Sequence, residues 1–166
     1  MKSIYLLVLS LGVIFSCNEN PEVKAEAFDN EFTHGKKQSV ASQIAELKAA
    51  GYQIFEYVDD KSGDTIIMQE YYMAFLKRGP NRSQSKKQTD SLQSLHMDHL
   101  GRMYEEGFAD ISGPFGDDQD VRGITIYNVP TLRMADSLAN LDPMVESGRL
   151  VIEIRPWWAG KGFPLR

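Results

Sequence analysis

The order and periodicity of the hydrophobic segments predict an α+β fold. From residue 65 onward, strand-like segments and amphipathic segments with the 3.6-residue period of a helix follow one another as strand, helix, strand, strand, helix, strand. This is the order of the ferredoxin-like, split βαβ arrangement, in which both helices cover one face of an antiparallel sheet. A short helix and a hairpin strand are predicted to precede it as an N-terminal extension.

The composition is that of one ordinary globular domain with extensions. The 166 residues are 42% apolar and 25% charged, with a formal net charge of −5. The acidic balance, without a basic patch interleaved with aromatic side chains, argues against nucleic-acid binding. One cysteine and three histidines exclude a cysteine-built metal cage and a disulfide framework. No cofactor is predicted.

The first residues resemble a bacterial lipoprotein signal. Lys2 precedes an apolar run, residues 4–15, that is too short to span a bilayer core of about 30 Å as a mature helix. The run ends at Cys17 in a lipobox-like sequence, although Phe15 is bulkier than the residue usual two places before the cysteine. We predict a signal peptide over residues 1–16, lipidation of Cys17 and a membrane-anchored location in the bacterial cell envelope, outside the cytoplasm. A plain secretory signal or an unprocessed helix is the alternative.

Two segments are predicted between this signal and the main domain. Residues 17–38 are polar and without a period, which indicates a flexible tether. Residues 39–69 form the extension, with a short helix that begins at Ser39 and strand-like segments at 53–58 and 65–77. The second strand-like segment is too continuously apolar to be half exposed, so we place it at the centre of the sheet.

The longest predicted helix carries two histidines on its apolar side. Thr89 and Asp90 are the predicted capping residues, and Gly107 ends the helix. At about 100° per residue, His96 and His99 fall within the sector that should be buried. One interpretation is a pair of core histidines that are hydrogen-bonded to backbone carbonyls.

The remaining elements complete the predicted domain. They are strands at 108–115 and 121–129, a helix that begins after Thr131 and ends at Asp142-Pro143, a strand at 150–156 and a loose tail at 159–166. Tyr127, Arg155 and Trp157 are predicted to lie on the sheet face that the helices leave uncovered. A second copy of the chain would bury them there.

The second half of the chain carries a series of short motifs. They are Leu92, His96, Glu106-Gly107, Gly113-Pro114-Phe115, Arg122-Gly123, Asp142-Pro143, Gly148-Arg149-Leu150 and Arg155-Pro156-Trp157. Together they resemble the YCII-related (YciI-like) proteins. The resemblance covers about residues 72–158 and indicates a domain over residues 70–158. It implies a ferredoxin-like fold that pairs through the open sheet face into a dimeric α+β barrel, and therefore a homodimer.

The same resemblance marks His96 and Asp142 as a candidate active site. A buried histidine beside a carboxylate suits proton transfer, because the carboxylate fixes the tautomer and stabilises the imidazolium. Asp142 also has a structural interpretation, since an aspartate before Pro143 can cap a short helix. Arg78 or Arg82, in the cationic loop before the long helix, is a candidate for holding an anionic ligand, with a solvated linker as the alternative.

Two other chemistries find little support. His96 and His99 share a helix face, but Asp98 points about 200° away from His96, so no metal site is predicted. No nucleophile elbow of the G-x-S-x-G type occurs. Two function classes remain. One is a lipid-anchored enzyme that uses His96 and Asp142 for general acid/base chemistry on an anionic small molecule. The other is a non-catalytic small-molecule-binding or interaction module of the cell envelope.

Overall fold

The computed structural model of the chain describes residues 38–165. The predicted signal peptide, the lipidation site at Cys17 and nearly all of the predicted tether lie outside these residues. None of the helices within 38–165 combines the length and the hydropathy that crossing a membrane requires.

The described residues form four helices and five strands in the order α1, β1, β2, α2, β3, β4, α3, α4, β5. The helices are α1 (Val40–Ala49), α2 (Lys86–Glu105), α3 (Leu132–Ala139) and α4 (Pro143–Glu146). The strands are β1 (Ile54–Val58), β2 (Thr65–Arg78), β3 (Ala109–Pro114), β4 (Val121–Tyr127) and β5 (Leu150–Gly160). From β2 onward the order is the predicted one, with the short α4 added before the last strand.

All five strands form one antiparallel sheet around β2. This strand pairs with β4 along one edge and with β5 along the other, and β4 pairs with β3. The spatial order β5-β2-β4-β3 is that of the ferredoxin-like fold, so the predicted fold and the central place of β2 are confirmed. β1 adds to the start of β2, at residues 65–69. The boundary drawn at residue 70 between extension and domain therefore falls inside a continuous strand.

One face of the sheet carries the main core beneath α2 and α3. Its buried members are Tyr72, Ala74, Met103, Ala109, Tyr127, Val129, Ala135 and Ala139. A smaller cluster of Leu76, Met144 and Leu150 continues the core toward α4. Because α2 also packs against α4, the short helix is held close to the long one.

The position predicted for Tyr127 is wrong. Tyr127 lies opposite Tyr72 in the register, is 2% exposed and belongs to the core beneath the helices. Ile126, Arg155 and Trp157 lie on the other face, since side chains alternate along a strand. One face of β4 carries Ile124 and Ile126 and the other carries Thr125 and Tyr127, and the helices cover the mixed face, which alternation alone did not reveal.

The N-terminal extension lies over one end of that other face. Lys48 of α1 forms an ion pair with Glu56, which is the register partner of the buried Ile67. Gln69, farther along β2 on the same face, is completely buried, whereas Phe75 near the strand's end is half-buried. The extension therefore covers only part of the face that the helices leave free.

α2 begins earlier than predicted. Ser85 is the N-cap residue, and its hydroxyl accepts a hydrogen bond from the Gln88 N–H at 3.4 Å. The Gln88 side chain in turn accepts from the Ser85 N–H at 2.8 Å, which completes a capping box. The predicted caps Thr89 and Asp90 lie inside the helix. Gly107 ends it as predicted, with a positive φ of 75° that side chains with a Cβ disfavour.

β5 extends beyond its predicted end. It pairs with β2 as far as Gly160, which lies opposite Met68, so the predicted tail loses its first two residues to the strand. The Trp158 ring lies 5.2 Å from that of Phe55 on β1. The extra length of β5 follows from the length of β2, which offers a partner along this whole stretch.

Candidate active site

The structure brings His96 and Asp142 together across 46 residues of sequence. His96 lies on α2, and Asp142 is the N-cap residue of α4. The His96 Nδ1 and the Asp142 Oδ2 are 2.5 Å apart, and the two residues are 9% and 2% exposed. An ionised carboxylate can only accept, so Nδ1 carries the proton and donates it.

The carboxylate of Asp142 forms hydrogen bonds with two elements, α2 and α4. Its Oδ1 accepts a hydrogen bond from the Met144 N–H at 2.8 Å, with Pro143 at the first helical position. Both interpretations of Asp142, the helix cap and the partner of His96, therefore hold together. A buried charge is costly without such partners, and two fixed oxygens give the His96 ring a fixed orientation.

The second ring nitrogen of His96 remains available for chemistry. His96 Nε2 makes no hydrogen bond with the described residues and, unlike the Nε2 of His99, is not enclosed by them. His96 also lines a cavity. With the Nδ1 proton directed at Asp142, the Nε2 lone pair can take a proton from a molecule in that cavity.

The cavity lies between α2 and the edge of the sheet formed by β3 and β4. Its volume is about 820 Å³, which suits a small molecule. The larger apolar side chains of its lining are Leu76, Met97, Leu100, Tyr104, Ile111, Pro114, Ile124, Met144 and Leu150. Polar and charged groups come from Thr89, Gln93, Ser112, Arg82, Arg122, Arg149 and Asp110. The carboxylate of Asp110 accepts a hydrogen bond from the Asn128 side-chain amide at 3.1 Å. Asp142 is not part of the lining, because it lies behind His96.

Of the two arginines predicted to hold an anion, only Arg82 lines the cavity. The Arg78 guanidinium is directed at the β3–β4 turn, where it forms an ion pair with Asp118 and donates to the Gln119 carbonyl. Arg82 is exposed, and its Nη1 donates to the Arg149 carbonyl at 3.2 Å. The cationic loop alone did not distinguish these two placements.

Two further arginines of the cavity were not singled out from the sequence. Arg122 forms an ion pair with Asp118 at 3.0 Å. Arg149 is half-buried, and its Nη1 donates to the Gln84 side-chain oxygen at 3.1 Å. The available signal was their place in two of the motifs that resemble the YCII-related pattern, Arg122-Gly123 and Gly148-Arg149-Leu150.

Two buried groups near Asp142 are held in their neutral forms. Burial lowers the pKa of His99, and the nearby Arg102 guanidinium lowers this pKa further against the opposing influence of Asp142. Burial raises the pKa of Tyr127, and the Asp142 carboxylate adds to that rise. His99 Nδ1 accepts from Arg102 at 3.2 Å, so a backbone carbonyl is not its partner as one interpretation of the sequence held.

The residues considered for a metal site do not converge. Asp98 is exposed, whereas His96 and His99 are buried. Among residues 38–165, no group of three or more His, Cys, Asp or Glu side chains is placed to hold a metal ion.

Comparison with known proteins finds a distant structural similarity. No family model matches the sequence, and no curated protein matches it at a significant level. Among solved structures, the chain is similar to the 5-chloro-2-hydroxyhydroquinone dehydrochlorinase of Burkholderia phenoliruptrix AC1100, solved in complex with 2,5-dihydroxybenzoquinone. The identity is 16% and the TM-score 0.40, over 52% of this chain and 92% of that one.

Proposed function

We propose that the protein is a small enzyme in which His96 transfers a proton to or from an anionic small molecule, with Asp142 as the positioning residue. The observation that carries this proposal is the 2.5 Å bond between His96 Nδ1 and Asp142 at the wall of an open cavity. A general base needs a free nitrogen that a substrate can reach, and Nε2 has no partner among the described residues.

The chemistry of the pair follows from its hydrogen bonds. The Asp142 carboxylate accepts the Nδ1 proton, which leaves the lone pair of the neutral imidazole on Nε2. When Nε2 takes a proton from a substrate C–H or O–H group, the buried carboxylate stabilises the imidazolium. The same nitrogen can return the proton, so His96 serves as base and then as acid.

A solvent-exchange assay tests this function without knowledge of the product. The full chain is incubated in D₂O with a panel of small carboxylic acids that carry an acidic C–H group, and loss of that proton signal is followed by NMR. We expect protein-dependent exchange, and His96→Gln should reduce its rate by about 100-fold or more. His99→Gln is the matched control, because His99 is a buried histidine on the same helix outside the cavity lining. Full exchange by folded His96→Gln contradicts the proposal.

The alternative is a non-catalytic binding or interaction module of the cell envelope. The observation that favours it is the pair of hydrogen bonds made by the Asp142 carboxylate, one to His96 and one to the Met144 N–H. These bonds link α2 to α4 and would be useful in a purely structural role. A module predicts ligand binding without any protein-dependent exchange. It also predicts that His96→Gln chiefly lowers the free energy of unfolding.

We further propose that the chain is a lipid-anchored, YCII-related protein of the bacterial cell envelope that forms a homodimer. The lipobox-like sequence before Cys17 supports the anchor. The motifs between residues 72 and 158 support the family. The partly uncovered sheet face around Trp157 supports the dimer, because a second copy would remove its apolar side chains from water.

A further inference from the structure

We infer that Arg149 and Arg82 form an anion subsite of the cavity, and that the molecule bound there is a small amphipathic carboxylate with an apolar, ring-sized body. This inference rests on the proposed function, since it concerns the same cavity, and it names the substrate class. It also assigns to Arg149 a role in specificity.

The two arginines are the cationic groups of the cavity that lack a carboxylate partner. Within residues 38–165, neither Arg149 nor Arg82 forms an ion pair, whereas Arg78 and Arg122 both pair with Asp118. Arg149 is half-buried and donates to a neutral side-chain amide, and Arg82 donates to a neutral carbonyl. A guanidinium has five N–H donors, so most of them remain free for a ligand.

The surroundings of Arg149 contain more donors than acceptors. The Gln84 side-chain oxygen accepts from Arg149 at 3.1 Å, while its Nε2 is enclosed and has no acceptor among the described residues. The Arg149 backbone oxygen already accepts from the Gly79 N–H at 2.9 Å and from Arg82. Gln84 does not itself line the cavity, so the donors that a bound molecule can meet at this end are those of Arg149 and Arg82. Guanidinium groups only donate, so the molecule must bring acceptor atoms, as a carboxylate does.

The subsite lies where the segment after β2 and the segment before β5 are hydrogen-bonded to each other. Asn81 donates from its backbone N–H to Gly148 O at 3.1 Å and from its side chain to Ser147 O at 2.9 Å. The two segments approach so closely that a Cβ at Gly79 would lie 2.2 Å from the Gly148 oxygen. Donors held in place before binding lose little entropy when a ligand arrives, which increases affinity.

The rest of the lining excludes a bare inorganic ion as the best ligand. Beyond the arginines, most of the lining is apolar, with Leu100, Met144 and Leu150 beside His96. An inorganic anion would leave these walls uncovered, and an apolar molecule would leave Arg149 without an acceptor. A carboxylate with a ring-sized body meets both requirements and brings its body into the cavity that His96 lines.

Ligand-observed NMR titration of the full chain, purified in mild detergent, tests the subsite. The probes are 3-phenylpropionate, its neutral amide, acetate and inorganic phosphate. We expect 3-phenylpropionate to bind about tenfold or more tightly than each of the other three, and its advantage over the amide to shrink as salt rises. Arg149→Met should remove the preference for the acid over the amide, and Arg82→Met should reduce it. Arg78→Met is the matched control and should leave the preference unchanged.

The outcomes separate this inference from the proposed function. His96→Gln should bind the acid in preference to the amide, because the subsite does not depend on proton transfer. If the unaltered chain shows this preference but catalyses no proton exchange, the subsite is supported and the proposed enzyme is refuted. Equal binding of acid and amide, phosphate binding as tight as that of 3-phenylpropionate, or no binding of any probe overturns the subsite even if His96 is catalytic. Should Arg149→Met fail to fold, the acid-to-amide ratio and its salt dependence in the unaltered chain decide whether the subsite exists.

Discussion

Replacing Asp142 in two different ways separates its structural role from its chemical role. Asp142→Ala removes the N-cap of α4, which costs about 1 kcal/mol. It also leaves the buried Nδ1 of His96 without an acceptor, which costs about 1–3 kcal/mol. We therefore expect the free energy of unfolding to fall by about 2–4 kcal/mol. The loss should be large because Asp142 is only 2% exposed and water cannot replace it easily.

Asp142→Asn should behave differently. Asparagine caps a helix about as well as aspartate, so its oxygen can still accept from the Met144 N–H, and the cost in stability should stay below about 1 kcal/mol. Its NH₂ group then faces Nδ1 of His96. Two donors cannot hydrogen-bond to each other, so the proton of the imidazole moves to Nε2. His96 then has no lone pair on Nε2 with which to take a proton from a substrate.

Urea unfolding and nitrogen NMR of the histidine ring measure the two effects. The expected result is a near-native stability for Asp142→Asn, with proton exchange lost and the Nε2–H tautomer present. The double variant with His96→Gln should exchange no more slowly than either single variant, because the two residues act as one unit. If Asp142→Ala is as stable as Asp142→Asn, or if Asp142→Asn retains exchange, the reasoning is refuted.

Three other predictions concern stability, association and anchoring. Because burial lowers the pKa of His99 below 6.5, the unfolded chain binds this proton more readily, so the free energy of unfolding should fall as pH drops below about 6.5. His99→Gln should reduce that pH dependence. Sedimentation of the protein should give twice the mass of one chain, and Trp157→Glu should shift it toward the monomer by placing a charge on the shared face. If Cys17 is lipidated, the protein should partition into detergent, and Cys17→Ala should accumulate as the unprocessed precursor.

Each of these predictions has its control. Leu132→Glu places the same charge on an exposed apolar residue of α3 and should leave the mass unchanged. An unaltered chain that sediments as a monomer would show that the extension over residues 39–64 suffices to cover the sheet. A mature protein with a free thiol at Cys17 would refute the anchor. A pH profile that is the same in His99→Gln and in the unaltered chain would show that His99 is not the group responsible.

The fold was largely predictable because it depends on local patterns. The 3.6-residue period of α2, its stop at Gly107 and the order of the strands all lie in contiguous sequence. The misplaced start of α2 has a local cause as well. Ser85 and Gln88, three residues apart, form a capping box. The helix therefore begins there and not at the predicted caps Thr89 and Asp90.

The sequence by itself determined the ferredoxin-like order and the burial of both histidines, and its resemblance to the YCII-related proteins indicated the candidate pair of His96 and Asp142. Only the tertiary structure decided that Tyr127 faces the helices, that Arg78 turns to Asp118 and that Arg149 reaches the cavity. The physical reason is that alternation and helical period give relative directions within one element. These patterns do not say which side of an element is covered or which of several arginines pairs with a carboxylate. Both depend on residues distant in the chain, which come together only when the helices pack against the sheet.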